Sequence, residues 1–145
     1  QALSDDIYKR LYMVTPNEVE AKILTGIPCE SNDDCTRIAK EFFAKGVKTV
    51  ILTLGKRGVY VNNGTTEAFV DNYDVEVLDT TGAGDAFNGG LLAGLGKGMK
   101  LMDAAAYGNV VSNLAVTRMG TAPAMPYSKE IDDFIAKNGL KLRIK

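Results

Sequence analysis

Residues 47–54 read VKTVILTL, a β-branched and nearly continuous apolar run. That is the pattern of a strand covered on both faces, and it belongs at the centre of a sheet. Upstream, the apolar spacing of SDDIYKRLYMV predicts a short helix running into a brief strand around Leu11 to Val14. The next segment, TPNEVEAKILTG, carries helix punctuation: Thr15 and Glu18 fit a capping box, Pro16 fits the first helical position, and Gly26 is the stop. Another helix is expected near Asp33 to Lys45, halted by Gly46. Beyond the central strand, GKRG turns the chain into VYVNN and NNGT turns it into TEAFV, a meander of short strands. VEVLD predicts one more strand. Three helices follow, roughly Ala83 to Gly96, Asp103 to Met119, and Ser128 to Lys137 with Asn138 and Gly139 as the stop. The closing LKLRIK is short and basic and reads as a tail. Strands alternating with helices indicate an α/β layered sheet, without repeats, low-complexity stretches or linkers.

Composition narrows the function classes. A chain of 145 residues with 46% hydrophobic content buries a real core, and its length suggests one domain. Seventeen basic and eighteen acidic side chains give a net charge of -1 without a polybasic run, so neither a nucleic-acid nor a membrane-surface partner is expected. The start, QALSDDIYKR, lacks signal-peptide order, which makes the cytoplasm the default compartment. Cys29 and Cys35 have neither zinc-site nor CxxC spacing and read as free thiols. Histidine is absent altogether, which removes Ser/His/Asp triads and Cys/His dyads. Proton transfer must then fall to a carboxylate, Lys, Tyr or Cys.

One stretch concentrates the chemistry. In DTTGAGDAFNGG, residues 79–90, Gly82, Ala83 and Gly84 bring small side chains to a helix start, where backbone N–H groups have no intrahelical partner and an anion can approach closely. The Walker spacing is absent around Gly96-Lys97, and Phe87 holds the third glycine position of a dinucleotide fingerprint, so neither of those phosphate loops applies. Asp85 lies beside this anion pocket. Phosphoryl transfer requires charge stabilisation and a carboxylate that orients and deprotonates the attacking hydroxyl. By spacing alone, Asp85 serves equally well as a partner of the helix dipole, worth about 0.3–1 kcal/mol.

DTTGAGDAFNGG resembles the signature of the ribokinase-like (PfkB) carbohydrate kinases, and TPNEVEAKILTG, LTLGKRGVYV and AVTRMGTAPAMP resemble that family's other blocks in the same order. The resemblance implies an α/β fold, the C-terminal part of a three-layer α/β/α sandwich with a mainly parallel central sheet. It implies ATP-dependent phosphate transfer to a sugar hydroxyl, ribose first and fructose or a nucleoside as the alternative. Asp85 is then the base, with Gly82, Ala83 and Gly84 forming the anion hole together with the Asp85 amide. Asn17 and Glu20 match the family's Asn-x-x-Glu element near magnesium and the phosphates, and their spacing puts both on one face of a first helical turn. Thr53, Leu54, Gly55, Lys56, Arg57 and Gly58 match the block bordering the nucleotide, and Asn109 matches a polar position facing the adenine. Asp79, Thr81, Ala115, Arg118, Gly120 and Ala124 resemble a potassium site, most of them through carbonyls.

The resemblance also accounts for a sheet with few central strands. The whole of residues 1–145 reads as the nucleotide-binding C-terminal portion of such a kinase, with the sugar-binding half and lid not among them. An open sheet edge then invites self-association, the complete protein is expected to be a homodimer, and this portion alone is expected to be inactive or a non-catalytic nucleotide binder.

Overall fold

The computed structural model describes residues 3–118, 126 and 128–145. The chain opens with a one-turn helix, α1 (Asp5–Tyr8), leading into β1 (Met13–Val14). Helix α2 (Glu18–Thr25) begins later than the Thr15 signal proposes: Asn17 is its N-cap, and the capping box is Asn17 with Glu20. The reason lies in the sheet. Thr53 N–H donates to Pro16 O at 3.2 Å and Asn17 forms a parallel bridge with Thr53, so the backbone stays extended through Asn17. Gly26 ends α2 in the left-handed region at φ 74°, as its sequence position predicts.

Helix α3 (Asn32–Ala44) is capped by Ser31, whose hydroxyl accepts Asp34 N–H while Asp34 reaches back. Its buried positions, Cys35, Ile38, Ala39 and Phe42, follow the helical period and form one apolar face. Strand β2 (Thr49–Thr53) is the run first singled out, and four of its five residues are buried. It pairs in parallel with β1 and antiparallel with β3 (Val59–Asn62), Val50 opposite Asn62 through Thr53 opposite Val59. Strand β4 (Glu67–Val70) follows a turn in which the Asn63 side chain accepts the N–H groups of Thr65 and Thr66. The sheet order is β1-β2-β3-β4-β5, the last strand being Leu142–Ile144.

Two sequence expectations are corrected here. LKLRIK is not a tail: Lys145 N–H donates to Glu67 O and Asp71 N–H to Lys141 O, both at edges the sequence does not reveal. VEVLD is not a strand. Its alternation finds no neighbouring strand among the described residues, Val77 and Leu78 are exposed, and the Leu78 and Asp79 amides both donate to Val116 O.

The chain divides into two compact units, one running to Phe69 with Ile144–Lys145 added, the other Val70–Arg143. The first packs Tyr8, Ile38, Phe42, Val50, Leu52 and Tyr60 into its core. The second contains α4 (Ala83–Gly96), α5 (Leu101–Ala115) and α6 (Ser128–Asn138). Its core includes Tyr73, Tyr107, Val110, Leu114 and Ile131, with Phe134 edge-on to Tyr73 at 4.9 Å between centroids. Helices α4 and α5 approach very closely: a Cβ at Gly90 would lie 2.8 Å from Gly108 Cα, and one at Gly108 would lie 2.8 Å from Phe87 O. No larger residue fits that crossing without backbone movement.

Candidate active site

In the first unit, the Asn17–Glu20 element and the Thr53–Gly58 block lie together. Asn17 and Thr53 are bridge partners, so the start of α2 emerges beside the end of β2. Asn17 Oδ1 accepts Glu20 N–H at 2.8 Å, and Glu20 Oε2 accepts Asn17 N–H at 2.9 Å. One Glu20 oxygen therefore serves the cap, and the other has no partner among the described residues. After Thr53 the chain makes a 3-10 turn, Gly55–Arg57, closed by Leu54 N–H to Gly58 O at 2.8 Å. Gly55 and Gly58 have φ of 54° and 85°, a conformation that excludes side chains in practice. Leu54 is buried beneath the turn, whereas Lys56 is exposed. Arg57 folds back: its Nη2 donates to Glu18 Oε1 at 2.8 Å and to Cys29 O. The hydrogen bond that Arg57 donates to the Glu18 carboxylate holds the guanidinium above its already high ordinary pKa. Arg57 thus ties the turn to α2 instead of projecting toward a ligand.

In the second unit, DTTGAGDAFNGG builds the start of α4. Asp79 Oδ1 accepts Thr81 N–H at 2.8 Å, which turns the chain, and Gly82 then sits at φ 77°, ψ 8° as N-cap. Glycine brings no capping side chain, so the first-turn donors keep no such partner. The Ala83 N–H is occupied by Thr80 O at 3.2 Å. The amides of Gly82, Gly84 and Asp85 have no hydrogen-bond partner among the described residues. Gly84 is exposed and a Cβ there would meet nothing within 4 Å, so the space in front of the turn is open. The Asp85 carboxylate is exposed, without hydrogen bond or ion pair among the described residues. A first turn with spare donors and an uncommitted carboxylate can receive anionic oxygens and take a proton from an incoming hydroxyl.

Asn109 does not sit as the adenine-facing reading needs. It is 3% exposed, donates to Asp71 O at 3.0 Å, and accepts from Asn113 Nδ2 at its own Oδ1 at 3.1 Å. Its amide serves the interior of the second unit. Of the potassium set, Ala115 is buried with its carbonyl accepting Arg118 N–H at 3.2 Å, and Arg118 pairs with Glu130. Gly120 and Ala124 lie outside the described residues.

The sequence profile of the pfkB family carbohydrate kinases matches residues 3–127. The chain belongs to this family. A ribokinase of Haemophilus influenzae is 34% identical over 135 residues, covering 93% of this chain and 44% of the relative. The solved structure of Arabidopsis thaliana ribokinase complexed with ribose and ATP superposes with a TM-score of 0.89 at 25% identity, over 93% of this chain and 44% of that one. Thermotoga maritima ribokinase gives a TM-score of 0.83 at 30% identity, over 92% and 45%. The fold is therefore the ribokinase-like α/β fold, and the chain spans less than half the length of these relatives, as a C-terminal half does.

Two contacts, one in each unit, escaped the sequence reading. Glu18 anchors Arg57 rather than capping α2, and Ser112 Oγ donates to Ala83 O at 3.1 Å. Their partners are 39 and 29 residues away along the chain, so no local spacing announces them.

Proposed function

We propose that the protein containing this chain transfers the γ-phosphoryl group of ATP to a sugar hydroxyl, ribose being the first acceptor to test. Asp85 accepts the hydroxyl proton as the oxygen attacks phosphorus. The amides of Gly82, Gly84 and Asp85 receive the phosphoryl oxygens, and the Ala83 amide holds the turn closed through Thr80. The Thr53–Gly58 turn borders the nucleotide through backbone and Lys56, with Arg57 fixing its position. Magnesium, when bound, would neutralise phosphate charge; the Glu20 carboxylate, oriented by its bond from the Asn17 N–H, would help to hold it.

The observation that carries this reading is the exposed, uncommitted Asp85 carboxylate in the same turn as three spare N–H donors, in a chain of the pfkB family. The test is Asp85→Asn in the full-length protein, assayed with ribose, fructose and adenosine as acceptors. A general base predicts a fall in kcat of about 100-fold or more, with the KM for ATP little changed. A loss below about tenfold would return Asp85 to the helix-dipole role, worth only about 0.3–1 kcal/mol.

A further inference from the structure

Cys29 and Cys35, which the kinase chemistry does not use, meet in the first unit with their Sγ atoms 4.0 Å apart. The two thiols are not equivalent. Cys35 lies in the first turn of α3 and is completely buried. Cys29 sits in the short connection between the α2 stop at Gly26 and the α3 cap at Ser31, and it lines an open groove of about 520 Å³ with Glu18, Pro28 and Arg57. A small reagent in that groove reaches Cys29 first. Arg57 Nη2 lies 3.8 Å from Cys29 Sγ, a cation placed to favour its thiolate.

We propose that Cys29 and Cys35 form an oxidant-sensitive dithiol that closes to a reversible disulfide. The Cys29 thiolate attacks the outer oxygen of a hydroperoxide; the S–O bond forms, the O–O bond breaks, and the departing alkoxide takes up a proton to leave as an alcohol, or as water from hydrogen peroxide. The Cys35 sulfur, giving up its proton, then attacks Cys29 sulfur; the S–S bond forms, the S–O bond breaks, and water leaves. Two thiols are oxidised by two electrons and one peroxide is reduced. A disulfide needs its sulfurs about 2.05 Å apart, so the pair must close by roughly 2 Å. The 27–30 connection supplies that movement more readily than the buried turn of α3. Burial raises both thiols, Cys35 to about 12, while Cys35 and Arg57 partly offset the rise at Cys29, which agrees with Cys29 as the attacking group. Movement of Cys29 also reaches the 55–57 turn, because Cys29 O accepts from Arg57. Pairs of this kind in a reducing compartment act as transient sensors, not structural staples.

The experiment treats the full-length protein with stoichiometric hydrogen peroxide and reads intact mass and a peptide map. The expected result is a dithiothreitol-reversible loss of about two mass units that maps to a Cys29–Cys35 link. In Cys35→Ser, and in Cys35→Ala should serine disturb the core, the link is absent and Cys29 is trapped by dimedone as its sulfenic acid. Amide exchange across residues 55–58 rises in the oxidised protein. Wild-type protein that keeps both thiols while free glutathione oxidises, or that carries Cys29 onward to sulfinic acid without a link, overturns the site. Unchanged exchange with the link present overturns its reach to Arg57. No readout here involves nucleotide or sugar, so failure is separable from failure of the kinase reading.

Discussion

Ser112 and Ala83 are joined across the α4–α5 crossing by the Ser112 Oγ bond to the Ala83 carbonyl, 3.1 Å long. The hydroxyl of one helix thereby fixes the first turn of the other, two residues before Asp85. Ser112→Ala is expected to cost about 1 kcal/mol in urea unfolding. On the proposed kinase reading, kcat of the full-length protein should fall several-fold, since a loosened first turn would misplace both Asp85 and the amides beside it.

Gly82 holds the turn at a positive φ that L-residues adopt only at a cost. Gly82→Ala is expected to lose about 1–2 kcal/mol of stability. On the proposed kinase reading, steady-state kinetics of the full-length variant should show a larger loss in kcat than in sugar affinity, because the substitution displaces the amides proposed to receive the phosphoryl oxygens.

Gly108 and Gly89 give opposite predictions from the same substitution. A methyl group at Gly108 would meet Phe87 O at 2.8 Å and Leu91 N at 3.0 Å, both backbone, so Gly108→Ala should destabilise by about 1–3 kcal/mol. At Gly89, helical and exposed, it would meet nothing within 4 Å, so Gly89→Ala should stabilise by about 0.5–1 kcal/mol. Parallel denaturant titrations of the two variants check both signs.

The Glu18–Arg57 pair is half-exposed, so Glu18→Gln should cost at most about 1 kcal/mol in stability. Its larger effect is expected on the turn that Arg57 holds. The KM for ATP should rise while kcat changes little, and a proportional fall in kcat would argue against a positioning role.

Burial keeps the Cys35 thiol protonated in the folded chain, its pKa pushed up to about 12. A raised folded pKa contributes stability that is fully present below the unfolded thiol value of about 8.5 and is lost as pH climbs toward the folded value. Thermal unfolding of reduced wild type should therefore weaken from about pH 9 upward more steeply than that of Cys35→Ala.

Much of the fold follows from local pattern. The buried run at β2, the period of α3 and the glycine stops at Gly26 and Gly139 each carry their signal within a few residues, and each element stands where that signal puts it. The errors share a cause. TPNEVE contains two overlapping cap patterns, and the choice of Asn17 over Thr15 depends on Thr53, 36 residues downstream of Asn17 (53 − 17). VEVLD and LKLRIK have similar alternation, but only the second finds an edge to join. The glycine turn and the place of Asp85 in the first turn of α4 were legible because they are contiguous. Asn109 was not, because its burial is decided by Asp71 and Asn113.

The reciprocal cap at the start of α2 makes alanine an ambiguous probe of ion binding there. Deleting the Glu20 side chain would remove one half of the reciprocal cap together with the proposed electrostatic anchor, leaving a single phenotype with two origins. Glutamine retains an oxygen able to accept the Asn17 amide while discarding the negative charge. Comparing the two replacements in a magnesium titration therefore separates the architectural role of Glu20 from the ligation proposed for it.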